Sequence, residues 1–515
     1  MAPDRPSSVA SAPPPEPAAV AHEVNPSQED AFVRGLTETF GGPLGDHAVQ
    51  RRSIDRIWTP ARIVILLAIL VLGLHWIQKS PCMDGAWANN EQYSKFCYTD
   101  VLALYYAEHL NEGAVPYFDH RVEYPVLTGY FMGALGLPVH SLGQSNPSLN
   151  QGQAFYNLNA LVLSAFAVAA IAVVGALRRR RPWDAAMFAL APAILVTATV
   201  NWDFFAIGLT AFFMYAFARR WPIAAGVLLG LAAAAKFYPL FLAGPLLVLS
   251  LRTGRWKHTG ITIAVGAVTW ALANAPVFFG ARSGWNRFWE LSSERQIDWG
   301  TFWYVGAHLP TPSDPAGGIW PFTALGANIP VLNTVTYLLF GLGCLGVLVL
   351  GLKAPVRPRF AQLCFLVVAL FLLTSKVWSQ QFVLWLIPLI VMARPRWGAF
   401  LAWQAAEIGY FLAFYAQMLN LAGQFTIPEG TFVLAASLRW VMVAVLVFYV
   451  ARDIMQPERD VVRRTYDGDD PDGGDFVGAP DRSVVDQYEA VRRWWYTKVL
   501  RRPAEDADEP RQQLV

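Results

Sequence analysis

Charge is scarce in this sequence. Asp, Glu, Lys and Arg make up 15% of its 515 residues, against roughly a quarter in soluble domains. The shortage excludes an ordinary soluble globule. No single core hides a chain that is 55% hydrophobic with a mean hydropathy of +0.33. Nucleotide-phosphate signatures are also missing: there is no P-loop and no G-x-G-x-x-G between a strand and a helix. Zinc and EF-hand spacings are absent too. These gaps leave no expected metal, cofactor or nucleic-acid partner, and an activated substrate would have to come from the membrane itself. No apolar core precedes Ile63, so no cleavable signal peptide is expected and the first span reads as a retained anchor.

Apolar residues come in runs of about 14 to 24, divided by short basic clusters. The fold class expected is an all-α polytopic membrane protein with about 12 transmembrane helices. Spans are predicted at 61–78, 154–177, 183–200, 203–218, 222–235, 238–251, 260–279, 331–352, 360–374, 381–393, 397–416 and 432–451. Arg51, Arg52, Arg56 and Arg62 precede the first span and put the N-terminus in the cytoplasm. The cytoplasmic linkers then become Arg178–Arg181, Arg219–Arg220, Arg252–Lys257, Lys353–Arg359 and Arg394–Arg396, every one basic. That register requires the apolar piece 126–139 to be re-entrant or interfacial, beside an amphipathic helix at 100–112. Short spans such as 203–218 and 222–235 predict buried helices that end below the outer surface and leave a cavity there.

Three regions follow. Residues 1–60 form a cytoplasmic N-terminal region, disordered over 1–27, with an amphipathic helix within 28–50. Residues 61–451 form the transmembrane domain, with long outer loops at 79–153 and 280–330. Residues 452–515 are a cytoplasmic tail: an acidic, Gly-rich linker at 465–481, then an amphipathic helix at about 482–501. In that helix Val484, Tyr488, Val491, Trp495 and Val499 recur at helical spacing. It reads either as lying on the anionic inner leaflet or as docking on the protein's own cytoplasmic face. Of the four cysteines, Cys344 and Cys364 fall within spans, and Cys82 and Cys97 share the first outer loop, where an oxidising exterior favours a disulfide.

The unusual polar residues gather on the outer side: Asp84, Asp100, Asp119, Glu123, Asn201, Asp203, Lys236, Arg287, Glu290, Glu294, Arg295, Asp298, His308, Lys376 and Gln380. Ionisable groups at membrane depth are costly and tend to line cavities. Each also has a plainer reading. Lys236 and Lys376 can snorkel, Asp203 can pair with Lys236, Asn201 can cap a helix, and His308 can be a satisfied loop histidine. Asp100 and Glu123 can serve as helix N-terminal acids.

Six motifs in order carry a resemblance: Gly41-Gly42-Pro43-Leu44-Gly45; Tyr98-Thr99-Asp100; Gly113 to Tyr117 with Glu123-Tyr124-Pro125; Asn201-Trp202-Asp203; Ala235-Lys236-Phe237-Tyr238-Pro239; and Ser379-Gln380-Gln381-Phe382. Over most of 30–450 the chain resembles the GT-C superfamily of integral membrane glycosyltransferases, and more narrowly actinobacterial glycosyltransferase family 87. The resemblance implies a plasma-membrane enzyme that moves a sugar, mannose or arabinofuranose, from a polyprenyl-phosphate donor. The acceptor would be a lipid or glycan at the outer face. It implies Asp100 as general base. Many relatives carry two adjacent acids there; this chain has one, which leaves Asp84, Glu123 or Asp203 as a second acid. Glu123, Tyr124, Asn201, Asp203, Lys236, Arg295, His308, Lys376 and Gln380 are the expected substrate-binding residues, with Lys236, Lys376 and Arg295 as cations for the leaving phosphate. Trp202, Trp299, Trp303 and Trp378 can stack on sugars or serve the interfacial belt. Asp100, Lys236 and Lys376 are expected to converge on one cavity. Two other classes stay open: a lipid-linked sugar flippase, and a non-catalytic envelope-assembly scaffold.

Overall fold

A computed structural model describes residues 23–41, 58–309, 317–482, 488 and 491–499. Among them the regular structure is helical, with no strand beyond one isolated bridge between Pro116 and His120. The chain begins with α1 (Ala31–Gly41) and a long apolar helix, α2 (Pro60–Lys79). The first loop carries α3 (Asp100–Ala107) and α4 (Val126–Ser145). Next come α5 (Gln151–Leu177), the pair α6 (Asp184–Ala189) and α7 (Pro192–Thr197), and α8 (Asp203–Ala218). Then α9 (Pro222–Ala235), α10 (Ala243–Thr253) and α11 (Lys257–Gly280) follow. The second loop holds α12 (Arg282–Glu294) and α13 (Phe302–His308). The body closes with α14 (Ile329–Lys353), α15 (Phe360–Thr374), α16 (Val383–Ala393), α17 (Trp397–Leu421) and α18 (Glu429–Met455).

Five of these helices, α2, α5, α11, α14 and α18, are long and apolar enough to cross a membrane. Helix α2 shows why they form. Thr59 caps its start by accepting from the Arg62 amide, and Pro60 takes the first position, where no N–H is needed. Val64, Ala68, Leu72, His75 and Lys79 form one buried stripe, while Leu66, Ile69, Leu70 and Ile77 face outward. Shorter apolar helices fill the middle, and α16 is buried at all eleven positions. Helix α9 lies against α11 closely enough that only glycine fits at two places. A Cβ on Gly226 would meet the Thr262 carbonyl at 2.7 Å, and one on Gly230 the Gly266 carbonyl at 2.4 Å.

Several boundaries differ from the sequence reading. The run 183–200 is two helices, because Pro192 holds Ala191 in an extended conformation. The piece 126–139, expected to be re-entrant or interfacial, continues as helix past 139. It belongs to the 20-residue helix α4, which packs on α5, α9 and α11. The helix expected over 100–112 stops at Ala107; His109 turns left-handed before a 3-10 turn at Leu110–Glu112. Order begins before residue 27: the Val24 amide donates to the Arg180 carbonyl at 2.9 Å. Cys82 and Cys97 form the expected disulfide.

The largest correction concerns the tail. Residues 457–482 are not a free linker but a strap across the end of the bundle opposite α3 and α12. Its acids meet the arginines of the short basic linkers. Arg359 pairs with Asp460 at 2.7 Å, Arg180 with Asp467 at 2.7 Å, and Arg252 with Asp481. Arg178 pairs with Asp472, both with no exposed side-chain surface. Residues 1–22, 42–57 and 500–515, with Gly42–Gly45, Arg51, Arg52, Arg56 and Val484, lie outside the described residues.

Candidate functional site

The first loop is drawn onto the α7–α8 turn by its own backbone. Thr99 caps α3, accepting from Val101 N at 3.2 Å, and donates to the Thr199 carbonyl at 2.6 Å. The Asp100 amide donates to the Val200 carbonyl at 2.7 Å. Tyr98-Thr99-Asp100 therefore runs beside Thr199-Val200-Asn201, and Asp100 is set against Asn201. Beneath, His75 holds Thr199: its Nε2 accepts from the Thr199 amide at 3.0 Å, which leaves Nδ1–H to donate to the Leu195 carbonyl at 2.8 Å. Lys79 donates to the carbonyls of Phe96 and Tyr98, at 3.3 and 3.1 Å.

Asn201 is the hub. Its Nδ2 donates to Asp100 Oδ2 at 2.8 Å and to the Tyr124 hydroxyl at 2.6 Å. Its Oδ1 accepts from Trp202 N at 2.7 Å and from Lys236 Nζ at 3.1 Å. All four bonds fix one orientation, since a flipped amide would face its NH2 to an ammonium. Lys236 stands 3.5 Å from Asp203 Oδ1, which also accepts from Trp385 Nε1 at 2.6 Å. The Lys236 ammonium lies 5.0 Å from the Tyr124 ring centroid.

Tyr124 is positioned from below. The Tyr117 hydroxyl bonds the carbonyls of Tyr124 and Pro125, at 3.0 and 2.9 Å, and accepts from Gly129 N at 3.1 Å. A Cβ at Gly129 would collide with that hydroxyl at 2.2 Å. Thr128 ties the start of α4 to the Ala235 carbonyl at 2.6 Å, just before Lys236. Two stretches more than a hundred residues apart thus meet at one ring.

Asp100 keeps partial solvent access, and no Lys or Arg pairs with it among the described residues. Burial pushes its carboxyl above the usual range and Glu123 adds to the rise; the Asn201 bond and the nearby Tyr98 hydroxyl pull part of it back. Glu123 also raises Glu108, whose burial carries it to about 7. Glu108 lies 3.1 Å from His120.

A small, partly open cleft adjoins Tyr124, lined by Tyr117, Phe237, Trp270, Trp285, Phe288 and Trp289 among others. Its one polar side chain other than tyrosine and tryptophan, Asn274, is spent on Trp270 and Trp285. Phe237 and Trp289 are over a third exposed, so the cleft opens sideways on the apolar surface.

The structure therefore brings together Asp100, Glu123, Tyr124, Asn201, Asp203 and Lys236. The remaining expected residues do not join the Asn201 hub. Gln380 borders it: its Nε2 donates to the Tyr415 hydroxyl at 3.0 Å, and Tyr415 lies near Asp100. His308 stacks on Tyr304, whose hydroxyl donates to Glu429 at 2.6 Å. Lys376 does not join the Asn201 hub; its Nζ donates to the Ser293 carbonyl at 3.1 Å, with Arg295 nearby. Trp202, Trp303 and Trp378 are buried in the body rather than presented to a ligand. Lys79, His75 and Glu108 were not singled out in the sequence. Asp84 caps a turn, accepting from Ala86 N at 3.2 Å.

No protein-family model matches the chain, and no curated protein matches it significantly.

Proposed function

We propose that this chain is an inverting GT-C-type glycosyltransferase of about twelve spans. It moves mannose or arabinofuranose from a polyprenyl-phosphate donor to a lipid or glycan acceptor at the outer face of the plasma membrane. The observation that carries the reading is the state of Asp100. It is desolvated, oriented through Asn201, partly accessible and, among the described residues, in no ion pair, with Lys236 and Lys79 acting on it only at longer range. A merely structural acid at this depth would be neutralised, as Asp203 is by Lys236. A carboxylate left to take a proton suits a general base. The adjoining aromatic cleft offers an apolar chain a lateral way in.

In the reaction, the acceptor hydroxyl oxygen attacks the anomeric carbon opposite the leaving group. The bond from that carbon to the phosphate oxygen breaks, and its electron pair leaves on polyprenyl phosphate. The hydroxyl proton passes to Asp100. Glu123 lies nearest as a second acid and holds the Asp100 proton affinity high.

A flippase would need a polar path through the bundle. The end opposite Asp100 is instead stitched by the strap, and the space between is packed by α8, α15 and α16. A transfer assay in proteoliposomes with both polyprenyl-phosphate sugars tests the reading. Asp100→Asn is expected to lower turnover by about 10²–10⁴-fold with an unchanged melting temperature. Near-normal turnover would eliminate the general base, and turnover absent from the wild type with either donor would eliminate the proposed reaction.

A further inference from the structure

One buried carboxyl at the site end takes no part in the proposed transfer. Glu108 caps the end of α3 and is 5% exposed. Among the described residues no Lys or Arg pairs with it, and its one basic neighbour at contact distance is His120, whose Nε2 lies 3.1 Å from Oε2. That oxygen is buried and makes no well-aligned hydrogen bond. The same carboxyl faces the backbone amide of Glu123.

His120 and Glu123 bound the stretch that leads to Tyr124, so one side chain touches both of its ends. The stretch is fastened on its other sides as well. The Tyr117 amide donates to the His120 carbonyl at 2.8 Å, from a left-handed backbone with φ 72°. The Tyr117 hydroxyl grips the carbonyls of Tyr124 and Pro125, and Arg121 pairs with Glu290 on α12. Tyr124 meets Asn201, and Asn201 orients Asp100. A line of contacts therefore runs from His120, which is partly exposed, to the proposed base.

We infer that Glu108 is a positioning residue: with His120 it clasps the turn from His120 to Tyr124, and so sets Tyr124 against Asn201 with a grip that follows the proton activity around the loop. The link to Asp100 chemistry rests on the proposed transfer reaction; the clasp itself does not.

The surrounding charges decide the sign. Glu123 stands on the turn itself. Arg287 on α12 and His109 act at longer range, and the Tyr117 hydroxyl also faces the carboxyl. The His109 ring lies 4.9 Å from that of His120, and its Nδ1 is 3.2 Å from Glu112. An ionised Glu108 is thus a buried carboxylate beside another one. Burial and then Glu123 raise its carboxyl to about 7, while burial, His109 and Arg287 lower His120. Opening the turn would hydrate Glu108 and return it toward 4.5. The closed turn is therefore favoured while Glu108 holds its proton. Opening becomes easier as pH rises from about 4.5 to about 7 and levels off above that.

Hydrogen exchange of peptides covering 115–125, in the full-length protein in nanodiscs and corrected for intrinsic chemistry, tests the clasp. In the wild type the opening equilibrium is expected to rise by up to about tenfold per pH unit across that window. Glu108→Gln keeps the shape and an acceptor for the Glu123 amide but cannot ionise. It should remove the slope and leave the turn at least about tenfold better protected than the wild type at neutral pH. A flat wild type, or an equal slope in Glu108→Gln, overturns the clasp. In the transfer assay Glu108→Ala should lower turnover at least about tenfold and Glu108→Gln should restore it; equal turnover in the two variants would sever the link to Asp100. If exchange behaves as expected while the wild type transfers no sugar, the clasp stands and the transferase reading fails. If the wild type transfers sugar while its exchange is flat, the reverse holds.

Discussion

At the scale of single residues, Asn201 decides how Asp100 behaves. Its amide spends both hydrogens on Asp100 and Tyr124 and its oxygen on Lys236 and Trp202. Asn201→Asp keeps the shape and puts a second carboxylate against the first. Like charges at that distance raise the shared proton affinity. The acid limb of the pH–rate profile should move up, with turnover at neutral pH falling by roughly tenfold per unit of movement. An unmoved limb would show that Asp100 does not set the rate. Glu108 carries the other titration. Its carboxyl is raised from 4.5 to about 7, first by burial and then by Glu123. A raised acid stabilises the fold below its unfolded value and loses that contribution as pH climbs through the folded one. The wild-type melting temperature should therefore drop between about pH 4.5 and about pH 7, and Glu108→Gln should flatten the curve. Asn201, Asp203 and Lys236 were legible because they interrupt apolar runs, and Asp100 through the resemblance carried by Tyr98-Thr99-Asp100. Lys79 and Glu108 were not. Lys79 closes a long apolar helix and reads as a snorkelling end, and Glu108 reads as one more loop acid. Only the fold buries them, at 1% and 5% exposure.

Among elements, the strap is the part the sequence hid most thoroughly. Its Asp- and Gly-rich composition is that of a linker, and its partners stand far upstream, 101 residues for Asp460 and Arg359. The apolar runs were legible by contrast, because length and flanking arginines are local signals. Arg359 shows what the strap secures. It donates to Asp460 and to the carbonyls of Met392 and Ala393, so it also satisfies the last turn of α16. Burial works to raise the Asp460 carboxyl, and Arg359 more than offsets it, leaving it below the usual value. Asp460→Ala strands a buried guanidinium and should cost about 3–5 kcal/mol, read by thermal unfolding in detergent. Asp469→Ala, at the looser and partly exposed Arg357 pair, should cost under about 1 kcal/mol. Equal losses from the two would mean that burial of the pair is not what matters.

For the whole molecule, polar chemistry and basic charge lie at opposite ends. The proposed orientation puts the Asp100 end outside. A cysteine at Ser292, exposed on α12, should react with a membrane-impermeant maleimide in intact cells. One at Arg219, exposed at the strap end, should react only after permeabilisation. The native cysteines give little background, since two are bonded and Cys364 is buried. The reverse labelling pattern would turn the molecule over and put the donor on the wrong side.

The strap also has a place in time. The chain is made from its N-terminus, so the basic linkers emerge while their aspartates do not yet exist. During insertion those arginines are unpaired and can hold their loops on the side of synthesis. Residues 460–481 arrive after all of those linkers and, in the proposed orientation, cancel the charges that oriented the spans. A nascent chain stopped before Asp460 should therefore be correctly oriented but unsealed, and its topology should be fixed before its fold is.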